Sequence, residues 1–153
     1  MSLSVGDKAP DFSLSDDSGQ TRTLADFAGK TLVLYFYPKD DTPGCTQEAK
    51  DFRDLAAQFE GHNAVIVGVS KDSVASHVKF KAKYSLPFAL LSDPTGGMIE
   101  AYGVWQEKNM YGKKSMGIVR TTVVIGPDGA VVKVFPKVKV AGHAEGVLAC
   151  VRG

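Results

Sequence analysis

The chain has 153 residues, 44% of them hydrophobic and 23% charged, with a net charge of +1. That is enough for one domain with a substantial core, residues 1–153, and too little for two. The near-neutral balance gives nucleic acid or an anionic membrane no handle as a main partner, and no apolar run approaches the length of a membrane span.

Taken in chain order, "MSLSVGDKAPDF" lacks the basic and apolar regions of a secretory signal, so a cytoplasmic protein is expected. "DFSLSDDSGQTRTLADF", residues 11–27, reads as a hairpin. "TLVLYFY", 31–37, is an apolar, β-branched and aromatic run ended by Pro38, as expected of a strand buried on both faces. From Pro43 to about Phe59 the residues Ala49, Phe52, Leu55, Ala56 and Phe59 recur at helical spacing, and Gly61 ends the helix. "AVIVGVS", 64–70, is a second buried strand, and "DSVASHVKFKAKYS", 72–85, a helix capped by Asp72. "FALLSD", 88–93, is a third strand, and "PTGGMIEAYGV" carries a short helix. The polar, glycine-containing "EKNMYGKKSM", 107–116, reads as a mobile, solvated loop bordering the site. Two β-rich runs around Gly-Pro-Asp-Gly in residues 117–136 make a hairpin, and 141–151 a final helix. The order is that of an α/β fold with a mixed sheet, whose sites gather at the carboxyl ends of its strands.

The chemistry concentrates at one such end. Cys45 and Cys150 are 105 residues apart, and with His62, His77 and His143 they form neither a disulfide framework nor a zinc-ligand spacing. Thr42 is placed as a helix N-cap, Pro43 as the first helical residue and Cys45 as the third. Free N–H groups and the positive end of the helix dipole favour the thiolate there. Gly44 leaves room beside the sulfur for a small reactant. An inert cysteine packed under the helix is the alternative, but Asp, Thr, Pro and Gly flank Cys45 instead of apolar residues. A disulfide exchanger would carry a second cysteine at position 42; a threonine hydroxyl there can instead donate to a sulfur or a bound oxygen.

Pro38-x-x-x-Thr42-x-x-Cys45 resembles the signature of the peroxiredoxins. "YFYPKDDTPGCTQEAKDFRD", "AYGVWQEKNMYGKKSMGIVRTTVVIGPDG" and "VFPKVKVAGH" are similar to the bacterioferritin comigratory protein, or Q-type, branch, and the resemblance runs nearly end to end. It implies a thioredoxin-like fold with a mixed central sheet, helices on both faces and an added N-terminal hairpin. It implies reduction of hydrogen peroxide and organic hydroperoxides by a thiol donor such as thioredoxin or glutaredoxin with glutathione. An antioxidant role, no cofactor and a monomer or weak dimer go with it.

On that resemblance Cys45 is the peroxidatic nucleophile, Pro38 its shield, Thr42 a hydrogen-bond partner of the peroxide, and Arg120 the cation beside the thiolate. Strand alternation would put Ile118, Arg120, Thr122 and Val124 on one face; an exposed strand arginine is the other reading of Arg120. Glu48 reads first as a solvated helix position or a dipole contact, and otherwise as a support for Arg120.

Many Q-type members carry a resolving cysteine five residues after the nucleophile, where this chain has Lys50; others carry it on the following helix, which here has none. A one-cysteine variant is expected, with Cys150 packed beside Val147 and Val151 on an apolar stripe in preference to resolving Cys45. A thiol–disulfide oxidoreductase and a non-enzymatic redox sensor are the competing classes.

Overall fold

The computed structural model describes residues 3–153. Three strands, β3 (Thr31–Phe36), β4 (Ala64–Ser70) and β5 (Ala89–Ser92), run parallel in the middle of a seven-stranded sheet. On one side β5 pairs antiparallel with β1 (Ser13–Asp16), and β1 with β2 (Thr21–Thr23). On the other side β3 pairs antiparallel with β8 (Thr121–Ile125), and β8 with β9 (Val131–Phe135). The sheet order is β2-β1-β5-β4-β3-β8-β9, a mixed sheet with the expected N-terminal hairpin on its edge.

Both faces of the sheet are buried, which is why its central strands are near-continuous apolar runs, with polar residues only at their ends (Thr31, Ser70 and Ser92). Val33, Tyr35, Ile66, Leu90 and Val124 face three helices: α1 (Pro43–Gly61), α2 (Val74–Tyr84) and α4 (His143–Arg152). Leu32, Leu34, Phe36, Val67, Val69, Val123 and Ile125 face the other way. They are covered by a 3-10 turn (Leu24–Phe27), the short α3 (Gly97–Ala101) and the N-terminal segment around Ala9 and Phe12.

Three local expectations are corrected. Residues 107–116 are not a loop. They lie within an antiparallel hairpin of β6 (Trp105–Met110) and β7 (Lys113–Ile118), closed by Tyr111 and Gly112, both with positive φ. Two left-handed residues in a two-residue connection make the turn whose twist matches a hairpin. Beyond the Trp105–Ile118 pair at its base, the ladder stands away from the core, so its strands show no apolar alternation to read. Second, α2 is capped by Ser73, whose Oγ accepts the Ser76 N–H at 3.1 Å, and not by Asp72. Third, Ile118 and Val124 do not share a face: they pack into cores on opposite sides of the sheet. The change occurs where β7 has ended and β8 has not begun, at Val119 and Arg120.

Candidate active site

β3 delivers the chain to the site. After Phe36 it turns through Pro38, Lys39, Asp40 and Asp41 and enters α1 at Pro43, with Thr42 as N-cap in extended backbone (φ −98°, ψ 157°). Cys45 is therefore the third helical residue, as expected, and is buried at the carboxyl end of the central strand. The Thr42 side chain does not cap the helix: its hydroxyl donates to the Lys39 carbonyl at 2.8 Å, bracing the turn. No side chain thus caps the free N–H groups of the first turn around Cys45. Pro38 lies half-buried at the start of the turn.

Arg120 reaches the site from the junction between β7 and β8. Its Nη2 donates to Cys45 Sγ at 3.3 Å and its Nη1 to Glu48 Oε1 at 2.6 Å. The exposed-arginine reading is overturned, because only 16% of its side chain is exposed. So is the solvated reading of Glu48, whose side chain is 1% exposed. Glu48 follows Cys45 by three residues and shares its buried face, so one guanidinium bridges the two across one helical turn. Burial pushes Glu48 up to about 7 against the pull of Arg120, and its second oxygen, Oε2, has no hydrogen-bond partner. Arg120, despite burial, is held above its ordinary value by Glu48 and Cys45.

Gly44 has a use different from the one expected. A Cβ at this position would sit 3.2 Å from Arg120 Nη2, so the missing side chain makes room for the guanidinium. His143, which sequence reasoning left aside, lies just behind. Its Nε2 is 2.8 Å from Thr122 Oγ1, and its ring packs edge-on against Phe52 and Phe135. Burial and the Arg120 charge push it down to about 4, so it is neutral at physiological pH.

Cys150 does not join the site. Both cysteines are free thiols, Cys45 within the core and Cys150 half-buried on α4. The apolar stripe is only partly as expected: Val147 is buried and Val151 packs against the core, while Cys150 lies at its margin. Lys50 is half-buried on α1 and supplies no thiol.

A second polar cluster adjoins the turn. Asp40, Asp72 and His77 bring potential ligand atoms within 4.8 Å of one another. Most of their donors and acceptors are already engaged. Asp40 accepts from Tyr37 OH, Ser76 Oγ and His77 Nδ1, and Asp72 Oδ2 accepts from Ser70 Oγ and the Asp40 amide. The triad is a hydrogen-bonded brace as it stands. A groove of about 530 Å³ between Ala9, Phe27, Leu32 and Ile125 lies at the far end of β3 from Cys45 and touches none of these residues.

A buried thiol, a permanent cation on it and uncapped helix amides beside it suit attack on a weak oxygen–oxygen bond. Known proteins agree. Residues 5–134 match the AhpC/TSA family. The Peroxiredoxin Bcp of Bacillus subtilis is 50% identical over 148 residues, 97% of this chain and 94% of the relative. A bacterioferritin comigratory protein of Xanthomonas campestris, solved in work on its alkyl peroxide reduction activity, superimposes with a TM-score of 0.90. It is 47% identical, covering 98% of this chain and 96% of that one. A cysteine-to-serine mutant of Xylella fastidiosa PrxQ gives a TM-score of 0.94 at 41% identity, covering 99% of this chain and 97% of that one. The chain belongs to the AhpC/TSA family, in its bacterioferritin comigratory (Q-type) peroxiredoxin branch. The peroxiredoxins are thiol-dependent peroxidases, enzymes that take a peroxide and a thiol reductant as substrates. Among the described residues no helix is long and apolar enough to cross a membrane.

Proposed function

We propose that the chain reduces hydrogen peroxide and organic hydroperoxides at Cys45 as a one-cysteine peroxidase. The observation that carries this is the contact of Cys45 Sγ with Arg120 Nη2 at 3.3 Å, at the uncapped start of α1. The Cys45 thiolate attacks one peroxide oxygen and the O–O bond breaks. An S–O bond forms, leaving Cys45 as a sulfenic acid, and the other oxygen departs as an alkoxide or hydroxide, which takes up a proton. Arg120 and the helix amides stabilise the charge spread over the two oxygens, and Thr42 Oγ1, its hydrogen given to the Lys39 carbonyl, accepts from the peroxide OH. Pro38 shields the sulfur from water, and Glu48 fixes the guanidinium.

An external thiol then condenses with the sulfenic acid, releasing water, and a second thiol frees Cys45 as a disulfide departs. Lys50 stands where many Q-type chains carry a local resolving cysteine, and α2 has none, which supports a donor from outside: thioredoxin, or glutaredoxin with glutathione. On this reading all 153 residues form one thioredoxin-like domain, active as a monomer or weak dimer in cytoplasmic antioxidant defence. One observation favours a second reading: Cys150 is half-buried, so it is less sequestered than a core cysteine.

Mass mapping after one equivalent of peroxide without thiol separates the two. The one-cysteine reading expects sulfenic or sulfinic acid on Cys45 with Cys150 reduced; a dominant Cys45–Cys150 disulfide would overturn it. Cys45→Ser should abolish turnover while the chain stays folded. Cys150→Ser should keep most of its turnover with dithiothreitol, thioredoxin or glutaredoxin and glutathione compared side by side.

A further inference from the structure

Beside the bonds that join Asp40 to Tyr37 OH and Asp72, the turn that carries the reactive cysteine is held at two points by one helix that contributes nothing to the sulfur chemistry. Asp40 and Asp41, the two residues before Thr42, are each gripped from α2. Asp40 Oδ2 accepts from Ser76 Oγ at 2.8 Å and from His77 Nδ1 at 2.7 Å, near the start of α2. Asp41 accepts from Lys83 Nζ at 2.8 Å and from Tyr84 OH at 2.7 Å, near its end. Asp41 has φ +57°, a left-handed conformation that a non-glycine residue adopts at a cost and keeps only when its surroundings impose it.

The grip at Asp40 is a buried charge pair. His77 is fully buried, and its Nε2 donates to the Leu91 carbonyl at 2.9 Å while Nδ1 donates to Asp40. With the Asp40 carboxylate ionised, both ring nitrogens face acceptors, which only the doubly protonated ring satisfies. Burial works against that charge, and the bond to Asp40 more than offsets it, so His77 is held above its ordinary value. Removing the imidazolium leaves Asp40 buried without its counter-charge, on the neutral donors Tyr37 OH and Ser76 Oγ alone among side chains. The effect passes directly to the site: Thr42 Oγ1 is oriented by the carbonyl of Lys39, the residue next to Asp40.

We infer that α2 is a clamp for the peroxidatic turn and that His77 is its positioning residue. Through Asp40, the imidazolium keeps the Lys39–Thr42 turn, and with it the Thr42 hydroxyl and the first amides of α1, aligned on the Cys45 sulfur. Where α2 carries no thiol to bring to Cys45, it serves to hold the turn folded while a thiol from outside approaches. The inference rests on the peroxidase reading above, and its test is arranged so that the two can fail separately.

The test follows the burst of Cys45 oxidation by hydrogen peroxide in stopped flow, with no reductant present, for the full chain and for His77→Leu, His77→Asn and Ser76→Ala. Hydrogen exchange of residues 38–46 and urea unfolding are measured on the same samples. The expected result is a loss of at least ten-fold in the second-order rate constant for His77→Leu. His77→Asn, whose amide can still donate to Asp40, should recover to within about three-fold of the parent. Exchange at residues 38–46 should rise in His77→Leu and fall back in His77→Asn. A brace of purely structural kind would lower the urea midpoint of His77→Leu and leave the rate constant of the folded protein within two-fold; that result overturns the inference. Should His77→Leu fail to fold, Ser76→Ala decides in its place, because it removes one donor from Asp40 at a partly buried site. A rate loss with faster exchange supports the clamp, and an unchanged rate and exchange overturn it. If the parent chain itself shows no reaction with peroxide, the peroxidase reading fails. The exchange data then judge the clamp alone, unchanged protection at 38–46 in His77→Leu counting against it.

Discussion

At Gly44, one absent methyl group decides where the site's cation can stand. An alanine there would put Cβ 3.2 Å from Arg120 Nη2, closer than an ordinary van der Waals contact, so the guanidinium would have to shift by a few tenths of an ångström. Displacing a preorganised donor by that much should slow Cys45 oxidation by about ten-fold, and removing it in Arg120→Ala by on the order of 100-fold or more. Single-turnover oxidation by hydrogen peroxide measures both; a Gly44→Ala chain as fast as the parent would show that the contact at 3.3 Å is not held tightly. The residues of this constellation differ in how far the sequence announces them. Cys45 and Thr42 were legible because helix-start chemistry is local: a Thr-Pro-Gly run sets where the helix begins, although the Thr42 hydroxyl turns to the Lys39 carbonyl instead of capping it. Glu48 was only half legible: a charged residue three positions after the cysteine reads first as solvated, with support of Arg120 as the lesser alternative that the contact favours. A signal was nonetheless present: Cys45, Glu48, Ala49, Phe52 and Phe59 are all buried on one side of α1, so Glu48 interrupts the apolar stripe that the helix turns to the core.

Among the elements, the central strands identified themselves because parallel strands covered on both faces must be near-continuous apolar runs. Their packing was not legible. Tyr35 and Gly68 are register partners on β3 and β4, and a Cβ on Gly68 would lie 2.9 Å from the Tyr35 hydroxyl and from Leu90 Cδ2. Gly68 reads in sequence only as a weak point in a strand, whereas in the sheet it is the slot for a tyrosine ring. Gly68→Ala should therefore overpack the sheet and destabilise the chain by about 1–3 kcal/mol. Urea denaturation would show this as a lower midpoint with the slope unchanged, and a variant as stable as the parent would mean that the slot is not tight. The β6–β7 hairpin escaped for the opposite reason. Its ladder is made of backbone bonds between mostly exposed, polar residues, so neither alternation nor burial marks it, and only the Tyr-Gly turn betrays it. Arg120 was found by its place in a motif. Its aim comes from the break between that hairpin and β8, which a continuous strand pattern conceals.

Over the whole molecule, long-range pairing brings together buried ionisable groups that no local pattern could join, and their shifts make stability depend on pH in a definite way. Glu48 is raised from 4.5 to about 7, chiefly by burial. Between those values the folded chain keeps a proton that the unfolded chain has released, so stability falls as pH rises through the window. His143 is lowered from 6.5 to about 4 by burial and then by Arg120. Between those values the unfolded chain takes up a proton that the folded chain refuses, so stability rises with pH. Arg120 itself stays charged throughout. From pH 4.5 to 6.5 the two slopes therefore oppose each other within one cluster. Above 6.5 His143 no longer titrates. His77, held above 6.5 once Asp40 has overcome its burial, has contributed fully below that pH and loses its contribution as pH rises through its folded value. Glu48 and His77 then pull in the same direction, so stability should decline on the alkaline side of 6.5. Urea unfolding at intervals from about pH 4.5 to about 7.5 on three chains tests this. Relative to the parent, Glu48→Gln removes the falling limb, so its curve should climb between pH 4.5 and 6.5. His143→Gln removes the rising limb and should descend over the same interval. Each substitution also shifts its whole curve by a constant, which is why the slopes and not the midpoints are compared. Slopes of the same sign in both variants would show that one of the two groups is not buried as its neighbours require.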